Sequence, residues 1–125
     1  MSVKENLYYT NEHEWVKVDG ETGTMGITDY AQEELGDIVF VELPAEGESI
    51  SKGDVIGTIE AVKTVSDIYS PVTGEISAVN EALEDEAELI NEDPYGEGWI
   101  VKIKLNDKSE LEELLSPDDY SNLID

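Results

Sequence analysis

A mainly β fold, either a sandwich or a barrel, is predicted by two features of this sequence. Short apolar runs, several of them alternating with period two, recur at residues 15–18, 38–43, 55–62, 65–70, 75–79 and 99–105. Glycine, proline and Asp-Gly turn signals punctuate them, and many short strands at regular spacing are the mark of those two architectures. The length, 125 residues, adds the expectation of one core of ordinary size and one domain over 1–125.

Each element has a local reason. Trp15-Val16-Lys17-Val18 alternates and ends at the turn pair Asp19-Gly20, and residues 23–28 read as the returning strand. Residues 28–35 read as a short helix: Thr28 can cap it, Asp29 puts an acid in its first turn, and Gly36 stands just past its end. Residues 38–43 form a strand stopped by Pro44, and residues 51–54 form a turn. Residues 55–70 read as a tight hairpin, followed by a turn at Pro71 to Gly74 and a strand over 75–79. The acidic stretch 80–89 reads as loop or short helix, and 93–98 as loop. In 99–105, Lys102 and Lys104 fall on the face opposite Ile103 and Leu105. The tail, 107–125, reads as two short helices, 109–115 and 117–123, with Pro117 at a start position. A faint repeat sets Gly36-Asp37-Ile38-Val39 beside Gly53-Asp54-Val55-Ile56, each opening a strand from the same turn chemistry.

Composition excludes several functions. The chain carries 31 Asp and Glu against 7 Lys and no Arg, a formal net charge of −24. Such a surface repels phosphate backbones and anionic bilayers, so neither nucleic acid nor membrane is an expected partner. Hydrophobic content of 39% is enough for a folded domain, so the charge does not signify disorder. No apolar run approaches the length of a membrane span. Without cysteine there is no disulfide, thiol nucleophile or cysteine metal site, and the single His13 cannot build a multi-histidine metal site. No Gly-x-Ser-x-Gly elbow is present for it to serve. Residues 1–7 have neither a signal core nor an Arg-rich transit pattern, which predicts a cytoplasmic protein; a processed mitochondrial chain would read the same way. The acidity has two compatible readings, a solvated surface tuned for solubility or salt, and steering toward basic partners.

One lysine is out of place. If the hairpin turns on Lys63-Thr64, Val62 pairs with Val65, Ala61 with Ser66, Glu60 with Asp67 and Ile59 with Ile68, and residues 55, 57, 59 and 61 make one apolar face. Two-residue turns favour glycine or asparagine, and Lys-Thr supplies neither. Glu60 facing Asp67 sets like charges across the ladder, which is also unfavourable. The tip therefore displays a lysine between two valines, flanked by carboxylates, at some cost in stability. The bland alternative is an ordinary exposed lysine at a hairpin tip, in a chain where acids are common everywhere. An exposed, acylated lysine is what a swinging-arm carrier needs, because a tethered arm visits several active sites at high local concentration.

The sequence resembles the glycine cleavage system H protein family. The resemblance rests on His13-Glu14-Trp15-Val16, Gly26-Ile27-Thr28-Asp29-Tyr30-Ala31-Gln32, Leu35-Gly36-Asp37-Ile38-Val39-Phe40-Val41-Glu42-Leu43-Pro44, Glu60-Ala61-Val62-Lys63-Thr64-Val65-Ser66-Asp67, Ser70-Pro71-Val72-Thr73-Gly74, Leu89-Ile90-Asn91 and Gly96-Glu97-Gly98-Trp99. Biotin carriers show methionines beside their lysine, and lipoyl domains of the 2-oxoacid dehydrogenases show Asp-Lys-Ala; neither pattern is present.

The resemblance implies a barrel-sandwich hybrid of two antiparallel sheets, with lipoate in amide linkage to Lys63 at the end of the 55–70 hairpin. It implies a carrier that is not itself a catalyst and works as a monomer. Its partners would be a pyridoxal-phosphate-dependent glycine decarboxylase, a tetrahydrofolate-dependent aminomethyltransferase, dihydrolipoyl dehydrogenase and a lipoylating enzyme. The arm would carry an aminomethyl group from the first to the second and electrons to the third. Family members shelter the loaded group in a polar cleft. Glu14 matches one cleft position, and Glu34 falls where the family often has His, so the donor pattern there departs from the family. Thr64 stands where Ala often follows the lysine. Glu60 and Asp67 would mark Lys63 for the lipoylating enzyme, while His13 reads as structural. Two other readings stand beside the shuttle: a relay carrier that passes lipoyl or octanoyl groups to other domains, and an unmodified acidic interaction domain.

Overall fold

The computed structural model describes residues 3–124. The fold is mainly β, with two antiparallel sheets and a few short helices. The larger sheet has six strands in the order β1 (Tyr8–Tyr9), β2 (Glu14–Asp19), β3 (Thr22–Ile27), β9 (Val101–Leu105), β8 (Gly74–Val79) and β5 (Ser49–Ile50). The smaller has β4 (Ile38–Glu42), β6 (Val55–Ala61) and β7 (Val65–Tyr69), in that order. Neither sheet closes into a barrel. The short strands β1 and β5 are additions to the sequence-based picture, since two residues cannot show an alternation.

The main core lies where the two sheets face each other. Val16 and Met25 from the larger sheet, with Ile76 and Ile103, pack with Ile59 and Ile68 of the smaller. Each such side chain taken fully out of water contributes roughly 1.5–3 kcal/mol before the entropy of ordering is set against it. The alternation expected in β9 is present, with Val101, Ile103 and Leu105 buried and Lys102 and Lys104 exposed. The acidic stretch after β8 forms two single-turn helices, α2 (Ala82–Asp85) and α3 (Leu89–Glu92), each burying one residue, Leu83 and Ile90.

Strand β2 breaks the alternation: Glu14, Trp15 and Val16 are all buried. The reason is a second, smaller core on the other side. There Trp15 meets Leu7, Tyr9 and Tyr120. Tyr120 comes from α4 (Pro117–Ile124), so the C-terminal tail roofs that face. Leu115 and Tyr9 exchange both backbone hydrogen bonds (2.7 and 2.9 Å) and pin the tail beside β1. The first of the two tail helices expected from sequence is a 3-10 helix, Lys108–Glu113.

The hairpin corrects the sequence reading in two places. The observed pairs are Glu60 with Val65, Ile59 with Ser66, Thr58 with Asp67 and Gly57 with Ile68. The Ala61 N–H donates to the Thr64 carbonyl (2.8 Å), so the tip is Val62-Lys63 and not Lys63-Thr64. A slip of two leaves every side chain on its expected face, so the apolar pattern cannot separate the registers. The deciding contact comes from outside the hairpin: the Val62 N–H donates to the Asp37 carbonyl (3.0 Å). Neither tip residue has positive φ. Glu60 and Asp67 are therefore diagonal neighbours on one face, and the direct like-charge opposition does not exist. The second correction is Val55. A bulge between Val55 and Gly57 turns Val55 outward, 55% exposed, and buries Ile56 instead. Gly57 lies so close under the Glu42 carbonyl that a Cβ there would collide with it.

Candidate functional site

Lys63 is exposed at the tip of the β6–β7 hairpin. Among the described residues the one ion pair is Lys52 with Glu113 (2.6 Å), so the Lys63 ammonium makes none. Its aliphatic stem lies across Gly36; a Cβ at that glycine would stand 3.2 Å from Lys63 Cε. Gly36 has φ +82° and ends α1 (Asp29–Leu35), the helix whose start is capped by Thr28 Oγ1 accepting from the Ala31 N–H (3.2 Å). A left-handed residue that also lies under another side chain is a place for glycine. Asn91 fixes this platform. Its amide donates to the Gly36 carbonyl (2.8 Å) and Gln32 Oε1 (2.9 Å), and its carbonyl accepts from the Ile38 N–H (2.9 Å).

A cleft of about 270 Å³ opens beside this hairpin. Ile59, Ser66 and Asp67 of the hairpin line one part of it, and Tyr30, Ala31, Glu34 and Leu35 of α1 another. Glu12, His13, Glu14 and Ile27 complete the lining around it. The strands that carry Lys63 thus also shape the cleft, and the helix whose end supports Lys63 shapes it too.

Glu14 is 2% exposed. Its Oε2 accepts from the Tyr69 N–H (2.8 Å) and its Oε1 from the Thr10 hydroxyl (3.1 Å). Burial pushes its carboxyl up to about 8, against which these two hydrogen bonds pull down. Glu14 is therefore mostly protonated at neutral pH, and a positive charge brought near it would favour ionisation. Glu34 is exposed at the rim, where it holds the Tyr30 hydroxyl and raises the pKa of that phenol.

His13 is the one described non-glycine residue with positive φ, +66°. Its Nδ1 is 2.9 Å from the Tyr120 hydroxyl, which is also 2.7 Å from Thr28 Oγ1. Its ring lies 4.8 Å from that of Tyr30, and the Tyr120 ring stacks on Tyr9 at 4.5 Å. Burial lowers the His13 pKa, which keeps the ring neutral at pH 7. No side chain lining the cleft carries a permanent positive charge. Carboxyls at Glu12, Glu14 and Glu34, against apolar Ile27, Leu35 and Ile59, suit a small group with a cationic end.

The structure brings together Glu14, Glu34 and Asp67 of the residues singled out from sequence. Asp67, expected only as a mark near Lys63, also borders the cleft, although its register sets its side chain beside Glu60 on the outer face of the small sheet. Glu60 does not line the cleft. Sequence reasoning missed Thr10 and Tyr69, which hold Glu14, and Tyr120, which holds His13. These partners lie 4, 55 and 107 residues from the groups they hold, and only the first is a local pattern. Asn91 stood in a recognised run without a role; its part in the platform depends on α3 packing near α1. A larger cavity, about 400 Å³, shares Glu12 and Glu14 with the cleft but is otherwise lined from residues 9–11, the 51–54 turn, residues 69–71 at the far end of β7 and the tail, away from the hairpin tip. Its size does not make it the better candidate, because it includes neither tip nor α1 residues.

Comparisons with known proteins point to one family. A family model described as Glycine cleavage H-protein matches residues 7–125. The glycine cleavage system H protein of Listeria monocytogenes serotype 4a (strain HCC23) is 58% identical over 125 residues, covering both chains fully. That of Carboxydothermus hydrogenoformans is 53% identical over 98% of this chain and 95% of its own. Among solved structures, a glycine cleavage system H protein from Mycobacterium marinum superposes with a TM-score of 0.88 at 38% identity, over 96% of this chain and 97% of that one.

Proposed function

The chain belongs to the glycine cleavage H-protein family, and from that premise we propose that it is the lipoyl-bearing shuttle of the glycine cleavage system. The observation that carries this reading is Lys63, exposed at a hairpin tip and without an ion pair among the described residues, beside a carboxyl-lined cleft formed partly by its own hairpin. The residues fit a covalently attached lipoate: Lys63 Nζ offers the amide nitrogen, and its stem rests on Gly36 without being locked by a partner charge. Lipoate, once attached, supplies a dithiol–disulfide pair able to take an aminomethyl group and electrons.

The chain's own residues bind and shelter; they do not catalyse. Glu14 and Glu34 provide oxygens for an ammonium group. Ile27, Leu35 and Ile59 restrict water around it. Neutral His13, held by Tyr120, forms wall without adding a competing positive charge. Removal of the Lys63 charge takes the formal value from −24 to −25 (−24 − 1), and the acidic surface favours fast, weak docking on basic enzyme entrances. The partners in this reading are glycine decarboxylase, aminomethyltransferase, dihydrolipoyl dehydrogenase and a lipoylating enzyme. The whole chain, 1–125, acts as one carrier domain, monomeric and cytoplasmic. A relay of lipoyl or octanoyl groups to other domains is the alternative.

Glycine–bicarbonate exchange with purified glycine decarboxylase tests the reading. The lipoylated chain supports exchange. Efficient transfer of lipoyl groups to other domains with no exchange activity would select the relay instead.

A further inference from the structure

The outer face of the small sheet carries a feature that the shuttle reading does not use. Large apolar side chains are seldom left bare in groups, and a group of them on a sheet face marks a contact surface. Among the described residues seven large apolar side chains are exposed, and four of them gather at the Lys63 end of this sheet. Phe40 (48% exposed) pairs with Glu60, which pairs in turn with Val65 (59%), so one row crosses all three strands. Val62 (75%) is the other tip residue. Val39 (58%) sits at the β4 bulge, two residues beyond the Asp37 carbonyl that holds Val62. The adjacent row on that face is Glu42, Thr58 and Asp67. The strip is thus apolar, split by Glu60 and bordered by acids.

We propose that Phe40, Val62 and Val65, with Glu60 between them, form the surface on which the lipoylating enzyme docks. The inference rests on the carrier reading and adds a partner surface to it. The choice of occupant follows from reach. An enzyme acting on the finished arm works at the distal sulfurs, a whole lipoyl chain away from the hairpin. The enzyme that makes the amide must bring an activated acyl carbon to Lys63 Nζ itself, on the tip residue next to Val62, so its surface meets the strip. In that step the deprotonated amine attacks the carbonyl carbon of the activated acyl donor. The C–N bond forms, the donor's leaving group departs with the bonding pair, and the displaced amine proton passes to a base or to water. The charge pattern predicts a matching enzyme face with an apolar recess and basic residues opposite Glu60, Glu42 and Asp67.

The test measures lipoyl attachment to the full chain by a purified lipoate ligase supplied with lipoate and ATP. In the Phe40→Ser/Val65→Thr double variant, KM for the carrier rises about tenfold, as expected for losing apolar anchors at an interface centre, with kcat little changed. Val55→Thr, an equally exposed valine at the far end of β6, leaves KM at the wild-type value. Circular dichroism and thermal melts check that both variants fold. After exhaustive lipoylation, the double variant shows a KM in decarboxylase exchange within threefold of wild type. Attachment kinetics of the double variant within twofold of wild type would overturn the docking surface alone. An exchange defect larger than the attachment defect would assign the strip to the decarboxylase and overturn it too. Wild-type chain that accepts no lipoyl group would sink the carrier reading, and the surface with it.

Discussion

The hairpin tip and the floor of the cleft are built on opposite principles. Lys63 is exposed, forms no ion pair among the described residues and lays its stem across a glycine. Glu14 is buried and has both carboxyl oxygens engaged, while its neighbour His13 sits in a strained backbone conformation secured by Tyr120. A group that must be found by several enzymes and then move gains nothing from fixed partners. A wall that must hold a small cation and limit water needs every polar atom placed beforehand. The two regions nevertheless share β6, β7 and α1, so attachment point and shelter are held in one frame.

The comparison predicts that the tip can be changed without cost to folding and that the floor cannot. Lys63→Arg gives the largest functional effect, complete loss of lipoylation and of exchange, with a melting temperature within about 1 °C of wild type because no buried contact is lost. A clear drop in melting temperature would show that the tip is structural after all. At the floor the balance reverses. Tyr120→Ala removes a fully buried aromatic ring and its two hydroxyl contacts, and unfolding by urea should show a loss of about 3–5 kcal/mol. Lys63 of that variant should still accept lipoate in the cold, where it remains folded.

How much of this was legible in the sequence follows from where each determinant lies. The four longer strands of the larger sheet, the capped α1 and the proline start of α4 have local signals, and the structure has them at nearly the expected residues. Lys63 stood out because a lysine at a hairpin tip between valines and acids is chemically odd. The hairpin register did not, because a two-residue slip preserves the alternation and the arbiter, the Asp37 carbonyl, lies more than twenty residues away in sequence. Val55 was misplaced because a bulge leaves no mark in the alternation before it. The burial of Glu14 was hidden as well. A glutamate beginning a strand reads as solvated, because the β7 backbone that receives it, at the Tyr69 N–H, lies 55 residues away.

Smaller effects sharpen the contrast. Glu14 has a folded-state pKa near 8 against an ordinary 4.5, so the folded state holds its proton more tightly than the unfolded chain. Its contribution is then fully favourable below pH 4.5 and is lost as pH rises toward 8. Measured against Glu14→Gln, which cannot titrate, wild-type stability should fall by a few kcal/mol between pH 5 and 8, at about 1.4 kcal/mol per pH unit where only the folded state is protonated. A pH-independent difference between the two proteins would mean that Glu14 is ionised in its pocket. Glu60→Gln and Asp67→Asn should each slow lipoylation a few-fold, on the order of 1 kcal/mol, without altering the melting temperature. Unchanged rates would remove these carboxylates from recognition. Raising ionic strength should increase KM for the decarboxylase modestly, since exposed charges more than about 8 Å apart are screened at physiological salt.

The central claim is that one exposed lysine carries the arm. Intact-mass measurement of the protein from lipoate-replete cells, followed by peptide mapping, tests it directly. The account predicts a single lipoyl group on Lys63 and none on the other six of the seven lysines. An unmodified chain under those conditions, or a lipoyl group on any other lysine, would contradict it.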